Sequence, residues 1–504
     1  YAAFMVAKKV EVTSLAYGEQ QAYMWSSSGS AGYEIKPADK TSVGTSVKLY
    51  LKDNDDDCRY DEYTEEYYLR MLVKKYSDYI RYPIVMDVTR SRKKEGSDEQ
   101  EEYTETVTLN SMVPLWKKQK SQIKEEEYNS FYEAKFHDYE APLKVIHANM
   151  EGAVNYTALL FIPAHAGSEY YTKDYKKGLQ LYCNGVLITD CCEDLVPDCY
   201  AFVKGVVDSS DLSLNISREV LQQDRQLKAI AGGIEKKITA ELGKMLENER
   251  ENYDKMFEAF GLTLKFGAYN NFGFKKDELK DLLLFRSSTR DKLITLKEYV
   301  AAMKEGQTDI YYACGSDYKT IAEMPQTELL RAKGYEMLYF KDSVDEFVVK
   351  VLGEYDGKKF RNIQDGDLEL NSEEEKAAVS EKKEQYKELS DYIKEKLGDK
   401  VSAVRFTDKL VTSAVCLSAD GDISLEMEKT FKAMRASSPM PVEAKKVLEI
   451  NINHPIAEKL KTYYDSDKET LDKYIKVLYG EARMLAGFDI EDATEFTSVV
   501  NSLI

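Results

Sequence analysis

Apolar positions in the opening stretch recur at every second place: Val10 and Val12, Tyr33 and Ile35, then Val47, Leu49 and Leu51. That alternation, with Gly- and Ser-rich turns such as SSSGSAG between the runs, predicts half-buried strands from part of an α/β domain. Over 62–80 the period becomes helical, with Leu69, Leu72, Val73, Tyr76 and Ile80 on one face, and YPIVMDV predicts a further strand. Residues 90–105, RSRKKEGSDEQEEYTE, are almost wholly polar and lack a period, which predicts a solvated linker or long loop and a domain boundary.

From about 110 to 375, strand-like segments (YTALLFIP, LQLYCNGVLIT, EMLYF) alternate with helical ones. In one long helix Ile230, Ile234, Ile238, Leu242 and Met245 form an apolar stripe. The charged stretch SEEEKAAVSEKKEQYKELSDYIKEKL predicts a helix with a solvated face, and VSAVRF predicts a strand. Near the end, Ser466 and Glu469 form a capping-box pattern. Leu471, Ile475, Leu478, Ala482 and Leu485 then make a stripe that Gly487 ends. A last short helix carries Phe496, Val499, Val500 and Leu503. Two such helices cannot bury both stripes alone. Docking on the same hairpin of a second copy would make a four-helix bundle, and packing on the chain's own domain fits the pattern equally well. The pattern gives an α/β (α+β) multidomain chain with domains at 1–88, 109–375 and 376–504 and a charged linker at 89–108.

The chain has 504 residues, more than one hydrophobic core of roughly 250 to 300 residues accommodates. It carries 70 Lys plus Arg against 89 Asp plus Glu, a net charge of −19, which disfavours nucleic acid and anionic lipid as partners. No apolar run reaches the roughly 18 residues of a membrane span, and YAAFMVAKKVEV lacks the pattern of a signal peptide. We therefore expect a soluble, cytoplasmic protein, whose true start lies upstream because no initiator Met is present. Seven scattered Cys suggest reduced thiols, and four His with no CxxC make a metal site unexpected.

No GxSxG, complete Walker motif or HExxH occurs, so nothing supports catalysis confined to this chain. One segment stands out, SSDLSLNISREVLQQD, where a polar loop (Asp208 to Asn215) leads into a helix bearing Arg218 and Gln222 four apart. Both lie on one face near a helix start, a place that favours an anion. An Arg there can clamp a phosphate and stabilise a transferring phosphoryl group. Spacing alone favours an ordinary surface ion pair with Glu219 or Asp224.

Several blocks, in order, resemble heat-shock protein 90 sequences: KYSDYIRYPI (Lys75 to Ile84), the Trp116 segment with EEEYNSFY, YTALLFIP, DSSDLSLNISREVLQ, EGQTDIYY, LLRAKGYEMLYF and DEFVVKVLGEYDGKKF. The resemblance runs from Tyr1 to Ile504. It implies the remnant of a GHKL-type ATP-binding α/β sandwich, an α/β middle domain, and a C-terminal α+β dimerisation domain ending in a helical hairpin. In that family ATP, with Mg, binds in the N-terminal domain and the middle domain contacts the γ-phosphate. Arg218 takes that role by resemblance, with Gln222 in support.

The family's water-activating acid, Mg-binding Asn, adenine-reading Asp and lid precede its YAAFMV-like segment. The nucleotide-site residues that remain are Val12, Gly44 and Thr45, so the chain alone is expected neither to bind ATP well nor to hydrolyse it. By resemblance client handling falls to exposed apolar and acidic surface, where Glu346 and Phe347 occupy the place of an acidic-aromatic pair. Leu425, Met427, Phe431, Met434 and Met440 form a Met-rich stretch suited to accepting many sequences, although each taken singly also fits a core. The short linker and the ending VVNSLI, without an acidic tail, point to the bacterial type.

The function implied is an ATP-dependent, homodimeric stress-response chaperone for unfolded or partly folded clients. The alternative is an ATP-independent client-holding dimer, and a DNA-processing ATPase of the same nucleotide fold is disfavoured by the charge.

Overall fold

A computed structural model describes residues 2–30, 32–56, 58–93, 100–212, 225–366, 380, 382–433 and 442–504. The alternating opening stretch forms an antiparallel sheet of β1 (Ala7–Leu15), β2 (Ala22–Ser27), β3 (Tyr33–Ala38) and β4 (Gly44–Leu51), in the order β3-β2-β1-β4. Helix α1 (Glu66–Tyr76) follows.

YPIVMDV opens β5 (Val85–Lys93) as expected, but the described residues of the 90–105 stretch, expected to be a linker or loop, continue it and pair antiparallel with it in β6 (Gln100–Thr108). A backbone ladder needs no apolar alternation, and Val88, 2% exposed, is an apolar anchor near its base. That base is stapled. Asp78 accepts from Ser111 N through Oδ1 (2.8 Å), and the Asn110 side chain bonds Ile84 N, Ile80 O and Tyr82 O.

After α2 (Glu125–Phe136) come β7 (Lys144–Met150), β8 (Tyr156–Ile162), β9 (Leu179–Cys183), β10 (Val186–Cys192) and β11 (Lys204–Asp208), in the order β10-β9-β11-β8-β7. From Ala158 to Ile162, β8 is apolar throughout because this sheet is covered on both faces. Ala158, Leu160 and Ile162 join the core of α3 (Arg225–Asn248) and α4 (Arg250–Gly273), whereas Leu159 and Phe161 pack with Trp116 and Tyr132 of α2. The stripe from Ile230 to Met245 lies on α3, each residue no more than 1% exposed.

A second mixed sheet contains β12 (Leu284–Ser287), β13 (Leu293–Thr295), β14 (Asp309–Cys314), β15 (Leu338–Phe340), β16 (Glu354–Tyr355) and β17 (Lys358–Asn362). Its order is β13-β12-β15-β14-β17-β16. Helix α5 (Thr327–Ala332) covers one face, and α6 (Asp345–Leu352) contributes to the core on the other.

The last region has its own apolar core, built on α7 (Lys387–Leu397), β18 (Ala403–Thr407), β19 (Val415–Asp420), α8 (Leu425–Ala433) and β20 (Lys445–Asn451). It is completed by α9 (Pro455–Ser466), α10 (Lys468–Leu485) and α11 (Ala493–Asn501). The cap of α10 is Asp467, whose carboxylate accepts from Thr470 N (3.1 Å). Ser466, expected in that place, is the last residue of α9 and donates to Thr462 O. Gly487 ends the hairpin's first arm at φ 74°.

Truncating the α3 stripe opens a cavity between helix and sheet. Ile238→Ala is expected to cost about 2–5 kcal/mol, read as a lowered urea midpoint of the middle region's transition with an unchanged slope.

Candidate functional site

The β1–β4 register sets Val12 opposite Val47 and Ser14 opposite Thr45, so Val12 and Thr45 share one sheet face. The Ser14 and Thr45 hydroxyls lie 2.9 Å apart. Gly44, at φ 123°, opens β4 with no atom near its missing Cβ, so backbone conformation rather than space calls for glycine. Cross-strand pairing also puts Tyr23, Ile35 and Val47 on the Val12 face, each more than half exposed.

Arg218, Gln222 and Met434, with Met440, lie outside the described residues. The approaches to Arg218 are anchored on one core, through Leu212 before it and Leu227 after it. Strand β11 ends on Asp208, a fully buried carboxylate. Its Oδ2 accepts from Trp116 Nε1 (3.1 Å) and pairs with Lys117 Nζ (2.8 Å). Ser209 Oγ donates to Asn155 O (2.7 Å), and Asp211 Oδ2 accepts from Asn155 N (2.7 Å). Nothing local in the sequence signals Asp208; its partners are about ninety positions away.

The client-binding candidates do converge, although not as an open surface. Glu346 is 3% exposed, which corrects the expectation of a surface acid. Its carboxylate accepts from Ser424 Oγ (2.5 Å), Asn362 Nδ2 (3.1 Å) and Tyr312 OH (3.4 Å). Burial raises its pKa, while Ser424, Lys350 and Asn362 oppose the rise. Ser424 Oγ also accepts from Met427 N (3.1 Å), so one hydroxyl caps α8 and ties it to α6.

Met427 is 5% exposed and Leu425 1%, so both pack in the interior rather than in an open cleft. Phe347 and Phe431 are half-buried, edge to face at 5.8 Å, and Tyr269 of α4 lies 5.6 Å from Phe347. Beyond Tyr269, Phe272 and Phe274 are almost wholly exposed, Phe272 at φ 56°. Sequence spacing could not have joined these aromatics, which come from three separate helices.

In the same helix as Glu346, Asp345 is buried against Lys265 of α4 (2.6 Å), which also meets Asp342 (2.8 Å). Burial works against the Lys265 ammonium, but the two carboxylates outweigh it and its pKa is raised. Burial pushes Asp345 up to about 6 despite the lysine. The final hairpin splits the two sequence options. The α10 stripe from Leu471 to Ala482 is buried in the chain's own core, but Leu485 is 39% exposed and no residue of α11 is buried. Phe496 packs directly over Gly480, where any side chain would collide with it.

No helix among the described residues is long and apolar enough to cross a membrane. The multidomain α/β architecture, carried through to a helical hairpin, is that of one chaperone family: the family model described as Hsp90 protein matches residues 99–504, and the chain belongs to that family. Among its relatives, the chaperone protein HtpG of Halalkalibacterium halodurans and that of Bacillus subtilis are each 50% identical over 499 residues. Each match covers 99% of this chain and 79% of the relative. The chaperone protein HtpG of Clostridium perfringens is 48% identical over 505 residues, covering all of this chain and 80% of that protein.

Two predictions follow from the Lys265 site. Lys265→Met strands a buried carboxylate and is expected to cost about 3–5 kcal/mol in urea unfolding, part of which Asp345→Asn restores. The unfolded Asp345 carboxyl releases its proton near its ordinary 3.8, the folded one near about 6. Between those values the folded state holds the extra proton, so this group's contribution lowers stability as pH rises from about 4 to about 6. Asp345→Asn should flatten that slope in unfolding curves taken across the interval.

Proposed function

We propose that this chain acts as a homodimeric molecular chaperone that binds unfolded or partly folded proteins, with clamp closure coupled to ATP binding and hydrolysis. The observation that carries this reading is the collinear identity of about half its residues, from end to end, with proteins named as chaperones. Dimerisation is supported by α11, whose Val499, Val500 and Leu503 remain only half-covered beside the exposed Met484 and Leu485. A second copy of the hairpin would bury them. The same reading puts the protein in the cytoplasm.

For the nucleotide, the Val12–Thr45 face is apolar with a hydroxyl, which suits the base side of ATP. Among the described residues that face offers no cation or carboxylate for phosphates or magnesium. The phosphate side of the reading rests on Arg218, supported by Gln222, at the γ-phosphate, where a guanidinium's fixed fork stabilises charge on the transferring group. For clients, the half-buried pair Phe347 and Phe431, with Tyr269, supports an aromatic contact. Glu346 and Met427 then act from beneath by holding α6 and α8 in place.

Two measurements test the reading. Light scattering at micromolar concentration should give twice the mass of one chain, and Val499→Asp with Leu503→Asp should halve it. In aggregation assays of a denatured substrate protein, with the ATP-binding portion of a relative supplied in the same polypeptide, ATP should change the protection. Arg218→Ala should abolish that change and lower ATP turnover on the order of 10³-fold. Protection indifferent to both ATP and Arg218→Ala would instead identify an ATP-independent holder, and a monomer would overturn the dimeric clamp.

A further inference from the structure

Glu328, in the first turn of α5, reaches out of the middle region to the turn between β18 and β19. Its Oε2 accepts from three successive backbone amides: Val411 N (2.7 Å), Thr412 N (2.8 Å) and Ser413 N (3.3 Å). Its Oε1 accepts from the hydroxyls of Thr412 and Ser413, each at 2.7 Å. Consecutive N–H groups converging on one oxygen form an anion-binding nest, and the hydroxyls complete it for the two oxygens of a carboxylate. Burial opposes the charge, yet the Thr412 and Ser413 donors lower the Glu328 pKa to about 2, so the group is an anion at any physiological pH.

The turn is held from behind, independently of Glu328. Asn451, fully buried on β20, donates through Nδ2 to Ser413 O (2.9 Å) and through its backbone N to Ala414 O (2.9 Å). The other side is also anchored within its own region. Leu330 of α5 packs with Ile321, Met324 and Ile363, an apolar cluster that shares no residue with the core beneath β20. Next to the nest, Gln326 Nε2 donates to Leu417 O (2.8 Å). All five donors come from the last region's turn and cross to one solvent-edged carboxylate of the middle region.

We propose that the 411–413 turn is a carboxylate receptor and Glu328 the latch seated in it. The contact tightens the seating of the β18-β20-β19 sheet against α5, alongside the backbone bonds of Gln364 and Gly366 with Ala419, and neither body requires it for its own folding. The ligand class of the receptor is therefore a small carboxylate, for which formate can substitute when the side chain is removed.

The test is Glu328→Ala in the full chain, followed by hydrogen exchange and small-angle X-ray scattering. Exchange at the 411–413 amides should rise at least tenfold while amides of β14 and β20 keep their protection, and the interatomic distance distribution should broaden. Adding formate should restore protection at 411–413, and chloride at equal ionic strength should not. The double variant Thr412→Ala/Ser413→Ala, which keeps the carboxylate and removes the hydroxyl donors, should move the same amides by at least threefold. Unchanged exchange at 411–413, loss of protection throughout both cores, an unchanged scattering profile, or formate acting no better than chloride would each overturn the proposal.

Discussion

Because Ala158 to Ile162 are all at most 1% exposed, the five-stranded sheet has to be covered on both sides, and the layout of the middle region follows from that requirement. One cover is the α3–α4 pair, and the other is α2 with the Trp116 segment. The second cover lies immediately after the β5–β6 ribbon. The opening sheet and its ribbon are thus tied to the middle region by an indole: Trp116 packs on Tyr79 at 4.7 Å and on Tyr182 at 5.0 Å. The Asp208 carboxylate that accepts the indole N–H stands at the end of β11, directly ahead of the segment carrying Arg218. The packing that fills the sheet's second face therefore also fixes one end of the candidate phosphate-binding segment.

Much of this was readable in local sequence wherever a single periodicity decides the outcome. The α3 stripe, the apolar run Ala158 to Ile162 of β8 and the Gly487 stop each follow from a run of neighbours seen by one environment. The start of β5 was legible as YPIVMDV, but the outer part of the β5–β6 ribbon was not, because one face (Asp87, Thr89, Thr104, Thr106) is exposed and the other is covered in part by polar residues. Residues such as Arg90 then answer to a distant partner, Glu66 of α1 at 2.9 Å, rather than to a buried face. The cap of α10 was displaced by one residue for a related reason. Ser466 and Asp467 are both good caps, and α9 runs on through the serine before the chain turns.

The candidate site divides in the same way. Val12 and Thr45 were named together only by resemblance, and the β1–β4 register puts them on one sheet face. Glu346 and Met427, by contrast, have side chains that suit an exposed recognition surface, yet tertiary partners bury them. Ser424 lies seventy-eight positions from Glu346, and Lys265 eighty from Asp345. No local pattern reports such pairs, because the desolvation that makes them costly arises only when the elements meet.

Four carboxylates show how different surroundings turn the same group to different ends. Asp208 and Asp345 are enclosed within the middle region, each balanced by a lysine, so they set the relative position of elements packed in one region. Glu346 is enclosed at the seam between α6 and α8, where Ser424, Asn362 and Tyr312 donate to it and the Lys350 ammonium stands 4.0 Å away. Glu328 stays at the solvent edge and is met by five donors from one turn, so losing it removes hydrogen bonds without opening a cavity in either core. A group of that kind can be unseated at small cost to the bodies it joins, whereas unseating Asp345 would leave the buried Lys265 ammonium to Asp342, which is partly exposed. Losing Glu328 would still leave the two regions joined through Glu346 and Ser424 and through the backbone bonds of Gln364 and Gly366 with Ala419, so the asymmetry makes Glu328 the contact most easily broken rather than the whole joint.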